Sequence, residues 1–194
     1  MGNFCEAAYR PIQLGWYKLN DAAIIPTKTE KNAGFDIYTI EKDVMLMPHE
    51  HKLFATGLAA VVEPGWWLMA MDRGSTGSKG IHIHCGVIDN NYRGEIFICL
   101  NNDNDFPIKF TDAEEPGLHS HKEQMHDPVG DNGLAYRLKT VEVIDYLVYP
   151  TSKAIAQIML VPQPDINSRE LTSDEWDIVK DTDRGDGKLG SSGK

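Results

Sequence analysis

Short runs of strand-forming residues, each closed by a turn cluster, constrain this chain more than any other feature. Ala33–Ile40, Lys52–Val62, Trp66–Met71, Ile81–Ile88, Glu95–Asn101, Val141–Tyr149 and Ala154–Val161 are such runs. Met47-Pro48-His49, Glu63-Pro64-Gly65, Asp89-Asn90-Asn91 and Asp103-Asn104-Asp105 are turn clusters between them. Many short strands with regular turn signals predict a sandwich or barrel, not alternating β and α units. The helical signal is confined to one place. Thr172-Ser173-Asp174-Glu175 fits a capping box ahead of Trp176, Ile178 and Val179, which predicts a short helix. The expected fold class is all-β.

With 194 residues the chain is long enough for one domain with a substantial core and an elaboration. Its 25% charged and 41% apolar residues are ordinary for a globular protein. The net charge of −10 argues against a nucleic-acid binder, which normally carries a basic face. It leaves room for a small polyanionic ligand, which a few focused cations and backbone N–H groups can hold. Cys5, Cys85 and Cys99 lack metal-type spacing, and their odd number argues for a reducing compartment. No apolar run approaches the roughly 18 residues of a membrane span. The N-terminus lacks a signal-peptide pattern, so a cytoplasmic location is expected, bacterial or in a phage-infected host.

Residues 103–140 change character. Apolar alternation stops, and acids, histidines, Gly and Pro take over, from Asp112 to Gly117 and from His119 to His126. A long segment of this kind inside a compact domain reads as an insertion, functional or mobile. The Gly- and Ser-rich tail from Thr182 has no apolar pattern to dock it and is expected to be a mobile arm. The expected organisation is a β core over 1–102 and 141–181, an inserted subdomain at 103–140 and an arm at 182–194.

Three segments carry chemistry. In Gly86-Val87-Ile88-Asp89-Asn90-Asn91-Tyr92-Arg93-Gly94-Glu95-Ile96, apolar flanks enclose a polar turn. This predicts a β-hairpin whose backbone reads a flat ligand edge, with a carboxylate and an aromatic ring at its tip. Arg73-Gly74-Ser75-Thr76-Gly77-Ser78-Lys79-Gly80 combines three glycines, three hydroxyls, an Arg and a Lys. Glycine lets backbone N–H groups converge on an anion, and Arg offers a planar fork to phosphate oxygens. It is not a P-loop, because Lys79 follows Ser78 rather than Gly. A plain polar turn fits it as well. Arg184 to Lys194 repeats the chemistry, and seven of the 17 glycines lie in these two runs. A base reader with two phosphate holders points to a nucleotide enzyme. His82 and His84 share a strand face and read as surface residues. The histidines and acids of 112–127 fit no standard metal spacing and read as a solvated acidic loop.

Taken in order, these segments resemble the trimeric dUTP pyrophosphatase (dUTPase) family. Ala33-Gly34-Phe35-Asp36-Ile37 resembles the first of its five motifs, and Arg73 to Gly80 the second. Gly86 to Ile96 is similar to the third. Ile155-Ala156-Gln157 with Val161-Pro162 resembles the fourth, and Thr182 to Gly185 with Gly190 to Gly193 the fifth.

The resemblance implies a distorted jelly-roll subunit and a homotrimer with three shared active sites. It implies hydrolysis of dUTP to dUMP and pyrophosphate with Mg²⁺. Asp89 would be the general base that orients the attacking water. Tyr92 would lie against the deoxyribose and exclude a 2′-OH. The backbone of Ile83 to Ile88, with Gly86, Val87 and Ile88, would pair with uracil. Arg73, Gly74, Ser75 and Gln157 would bind phosphates, and Asp36 would hold the Mg²⁺ shell through water. Arg184, Gly190, Ser191 and Ser192 would close over the γ-phosphate, with Leu189 covering the base.

Some positions depart from the pattern. Gly74 stands where the family usually has Ser, Ala154 where it has Arg, and Lys188-Leu189 where it has Gly-Phe. Leu189 forfeits an aromatic contact of about 0.5–1.5 kcal/mol. Some phage-encoded members carry an extra segment where residues 103–140 lie, which suggests a protein partner by analogy. Two other readings compete. One is a dCTP deaminase of the same fold, which the turn carboxylate and the glycine-rich tail disfavour. The other is a regulatory module that binds dUTP only as a signal.

Overall fold

The computed structural model describes residues 10–129 and 135–182. In chain order the first strands are β1 (Leu14–Lys18), β2 (Phe35–Ile37), β3 (Val44–Leu46), β4 (His51–Ala55), β5 (Leu58–Val62) and β6 (Trp66–Met71). A single helical turn, α1 (Gly74–Gly77), follows. Then come β7 (Ile81–His84), β8 (Val87–Ile88), β9 (Phe97–Asn102) and β10 (Ile108–Phe110). A long pair, β11 (Gly117–Val129) and β12 (Ala135–Tyr149), precedes β13 (Ala156–Pro162) and helix α2 (Ser173–Val179).

The strands form four sheets, in the orders β1-β5, β11-β12-β10-β3, β2-β13-β6-β8 and β4-β9-β7. The all-β expectation is met. Their inner faces share one core, in which Ile37, Leu46, Phe54, Leu58, Ile81, Leu100, Ile108, Phe110, Ile155 and Ile158 are fully buried. Phe54, Phe110 and Tyr149 pack ring against ring, with centroids 4.7 Å and 5.5 Å apart. Such pairs contribute about 0.5–1.5 kcal/mol beyond their buried area.

Two of the expected strands are each divided. Lys52–Val62 separates into β4 and β5 at Thr56-Gly57, where Gly57 has φ +67°. Thr56 Oγ1 donates to Ile96 O at 2.6 Å and caps the break. Ile81–Ile88 separates into β7 and β8 at Cys85-Gly86, where Cys85 itself has φ +58°. The chain leaves the β4-β9-β7 sheet there and enters the β2-β13-β6-β8 sheet. Gly86 to Ile96 is therefore not the expected hairpin. β8 pairs with β6, β9 pairs with β4 and β7, and the polar turn links two sheets.

Residues 103–140, expected to be an insertion, contain β10, β11 and the start of β12. Ile108 and Phe110 are fully buried in the core, where β10 joins β3 and β12. The segment beyond it forms an antiparallel ladder, Gly117↔Val148 to Val129↔Ala135, with one irregularity at His119/Ser120. Its root is tied down by side chains. Glu114 accepts from Lys109 and from Tyr146 Oη, and the Tyr146 ring stacks on His119 at 5.0 Å.

The chain divides into two compact units after Gln163. In the second, α2 begins with the expected capping box. Thr172 Oγ1 accepts from Glu175 N, and Glu175 Oε2 accepts from Thr172 N at 2.9 Å. Arg169 adds a two-pronged contact to the same carboxylate, at 2.8 and 2.7 Å, and this holds Glu175 well below the usual range, at about 2.

Candidate active site

Three of the sequence-predicted segments converge on Arg73. The sheet register places Gln157 of β13 opposite both Asp36 of β2 and Met71 of β6. Two residues past Met71, Arg73 sits at the start of α1 in extended backbone. Its Nε donates to Asp36 Oδ1 at 2.9 Å and its Nη2 to Asp36 Oδ2 at 3.2 Å. Its Nη1 reaches Ser75 Oγ at 3.2 Å and Ala154 O at 3.1 Å. A fork of this kind fixes the carboxylate geometrically as well as electrostatically. Gln157 Nε2 donates to Asp72 O at 2.6 Å, closing the group from the other side.

Ala154 is buried, and its carbonyl also accepts from Tyr149 Oη at 2.7 Å. Burial pushes the Tyr149 phenol up from its ordinary value. Gly74 has open space beyond its Cα, and the hydroxyl that meets Arg73 belongs to Ser75.

The second group surrounds the polar turn. Asp89, Tyr92, Val87 and Ile88 line one cavity, with Leu53, Cys85, Glu95, Ile96 and Phe97 around them. Its volume is about 280 Å³. A concave, largely apolar wall with a few polar groups is the usual makeup of a small-molecule site. Tyr92 N donates to Asp89 O at 3.1 Å, which tightens the turn, and Tyr92 Oη donates to Glu95 O at 2.8 Å. Gly86 is needed here for a steric reason. A Cβ on it would lie 2.4 Å from Ala70 O, where Ala70 N donates to Gly86 O at 2.8 Å.

Two positioning residues escaped the sequence reading. Asn90 Nδ2 reaches three carbonyls of the β5–β6 connection, Val62 O (3.2 Å), Glu63 O (3.1 Å) and Trp66 O (2.7 Å). It anchors the turn that carries Asp89. Asp72 accepts from Ile83 N at 2.7 Å and from the His82 ring at 2.9 Å, so it joins the Arg73 segment to β7. The structure thus brings together Asp36, Arg73, Ser75 and Gln157, and separately Val87, Ile88, Asp89 and Tyr92. None of the first four lines the Asp89 cavity. Arg184, Leu189, Gly190, Ser191 and Ser192 lie outside the described residues.

Among the described residues no cluster of three or more His, Cys, Asp or Glu side chains suits a metal ion. Asp36 is the carboxylate of the Arg73 group. One carboxylate fits Mg²⁺ that keeps most of its water and shares substrate phosphates, and does not fit an all-protein cage. Among the described residues no helix is long and apolar enough to cross a membrane.

Comparison with known proteins identifies the family of the chain. The dUTPase family model matches residues 20–114. A deoxyuridine 5'-triphosphate nucleotidohydrolase from Nautilia profundicola is 33% identical over 181 residues, covering 91% of this chain and 96% of that protein. The chain belongs to the dUTPase family. Solved structures share its fold. Staphylococcus bacteriophage 80alpha dUTPase with dUpNHpp has 22% identity and a TM-score of 0.60, covering 94% of this chain and 99% of that one. The dUTPase from phage phi11 of S. aureus, whose species-specific insert has been visualised, has 23% identity and a TM-score of 0.54, covering 83% and 98%. A variant of that phi11 protein coordinates a structural Mg(II) ion.

Proposed function

We propose that this protein hydrolyses dUTP to dUMP and pyrophosphate. The observation that carries the reading is the cavity that Asp89, Tyr92, Val87 and Ile88 line together. Asp89 takes a proton from a water as its oxygen bonds to the α-phosphorus. The bond from that phosphorus to the α,β-bridging oxygen breaks, and pyrophosphate departs with the electron pair. A carboxylate suits the task because it is ionised at neutral pH and accepts the proton as the bond forms. Backbone groups near Gly86 to Ile88 match the acceptor–donor–acceptor edge of uracil. Tyr92 packs on the deoxyribose and leaves no room for a 2′-OH.

Arg73, Gly74, Ser75 and Gln157 bind the phosphates. Asp36 holds the hydrated shell of a Mg²⁺ ion, whose charge offsets that of the triphosphate when bound. The separation of the Arg73 group from the Asp89 cavity supports a site shared between subunits of a homotrimer, in which one copy supplies base and water and another the phosphate contacts. Arg184, Leu189, Gly190, Ser191 and Ser192 are assigned to cover the bound nucleotide. The inserted segment 103–140, which contains β11, is the surface assigned to a protein partner.

Pyrophosphate release from dUTP, UTP, dTTP and dCTP, with and without Mg²⁺, tests the reading. Release from dUTP alone, dependent on Mg²⁺, is expected. Ammonia from dCTP would identify a deaminase, and tight dUTP binding without turnover would identify a signalling module.

A further inference from the structure

A second cavity lies beside the Arg73 group. Ser75 and Lys79 line it together with Gly117 at the root of the β11–β12 ladder and Tyr149 and Lys153 near the turn into β13. Its volume is about 160 Å³. Two lysines and no acid line it, although Asp and Glu outnumber Lys and Arg by 29 to 19 in the chain.

The charge accounting around Ser75 makes this pair informative. Arg73 is engaged by Asp36 through two prongs, so the two charges offset each other. The remaining Arg73 contacts go to Ser75 Oγ and Ala154 O. Among the described residues neither Lys79 nor Lys153 is ion-paired with a carboxylate. Among the described residues Lys79 Nζ donates only to Ser75 O, at 3.4 Å. A polyanion seated at Ser75 therefore finds its uncompensated cations here.

The turn that carries Lys153 is fixed in advance. Asp112 Oδ1 accepts from Ser152 N at 2.9 Å, and Asp112 Oδ2 accepts from Thr151 Oγ1. Lys153 N donates to Pro150 O at 3.1 Å. Little backbone ordering is left to oppose binding. Lysine suits a phosphate oxygen as a compact point charge on a flexible stem.

We propose that Lys79 and Lys153 form a cationic clamp for the distal phosphates of the nucleoside triphosphate, beyond the groups assigned above. The clamp rests on the nucleotide reading of the site. It is a binding element, so it acts on the triphosphate and not on the nucleoside monophosphate.

Calorimetric titration of the full chain with dUpNHpp and with dUMP, in Mg²⁺, tests it. Lys153→Ala should weaken dUpNHpp about tenfold, the scale of one charge-assisted contact, and leave dUMP within about twofold. Lys153→Arg should recover most of the loss, and Lys79→Met combined with Lys153→Ala should weaken dUpNHpp further. Equal weakening of both ligands, or no change in either with an intact thermal melt, overturns the clamp. If the unaltered protein binds neither ligand, the nucleotide reading itself fails and the clamp with it.

Discussion

Arg73 grips Asp36 through both carboxylate oxygens, at 2.9 and 3.2 Å, across 37 residues of sequence. The pair brings the first and second motif segments together, and Ala154 O extends the link to the fourth. The two side chains are 26% and 37% exposed, so solvent weakens the attraction without removing its geometry.

Arg73→Lys keeps the charge and loses the fork. A lysine cannot serve both Asp36 oxygens, Ser75 Oγ and Ala154 O at once. Expected effects are a fall of about tenfold or more in kcat/KM for dUTP and a loss of ~1 kcal/mol in urea unfolding. Unchanged kinetics and unchanged unfolding together would show that the fork is incidental.

Gly86→Ala tests the close approach of β8 to β6. The new methyl would sit 2.4 Å from Ala70 O, a backbone atom held by its own ladder. Relief requires the two strands to part, at a cost of about 1–3 kcal/mol. A thermal melt within one degree of the unaltered protein would contradict the packing described.

Asn90→Ala removes a donor group that three carbonyls share. The side chain is an anchor with no assigned contact to substrate. The predicted cost is about 1–3 kcal/mol of stability, with kcat falling more than KM rises because Asp89 is no longer held in place. A change in KM alone would assign Asn90 to substrate binding instead.

Glu175 should titrate at about 2, held down first by Arg169 and then by Thr172. Its folded value lies below that of the unfolded chain. The stabilisation is therefore complete above the unfolded value, near the ordinary ~4.3. It is lost as pH falls from there through about 2. Carboxyl NMR titration checks this, and Arg169→Ala should return the midpoint toward the ordinary glutamate range. A midpoint already near that range in the unaltered protein would refute the arrangement. Asp112 should also titrate below its usual range, because Thr151 and Ser152 donate to it.

What was legible in the sequence depended on how local its cause is. The capping box at Thr172 acts within four residues and could be read directly, as could β6 at Trp66–Met71. The turn holding Asp89 and Tyr92 was readable because Asp, Asn and Gly mark it. Its sheet partners were not, since they are set by β6, β4 and β7 far away in sequence. Cys85 hid the break between β7 and β8, because a non-glycine at positive φ gives no compositional sign. Of the β11–β12 ladder only the Val141–Tyr149 stretch was readable as a strand, and the rest was missed for a different reason. It is polar on exposed positions such as Lys122, Glu123 and Glu142, so its strands lack the apolar alternation that betrays a half-buried sheet. Asp72 and Asn90 act through backbone groups 11 to 28 residues away, and no motif records that.

Turnover by Asp89→Asn tests the central claim most directly. The substitution preserves shape and removes the proton acceptor. The account predicts dUpNHpp binding within a few-fold of the unaltered protein and pyrophosphate release from dUTP reduced by about 10²-fold or more. Near-normal kcat in that variant would contradict the assignment of Asp89 as the base.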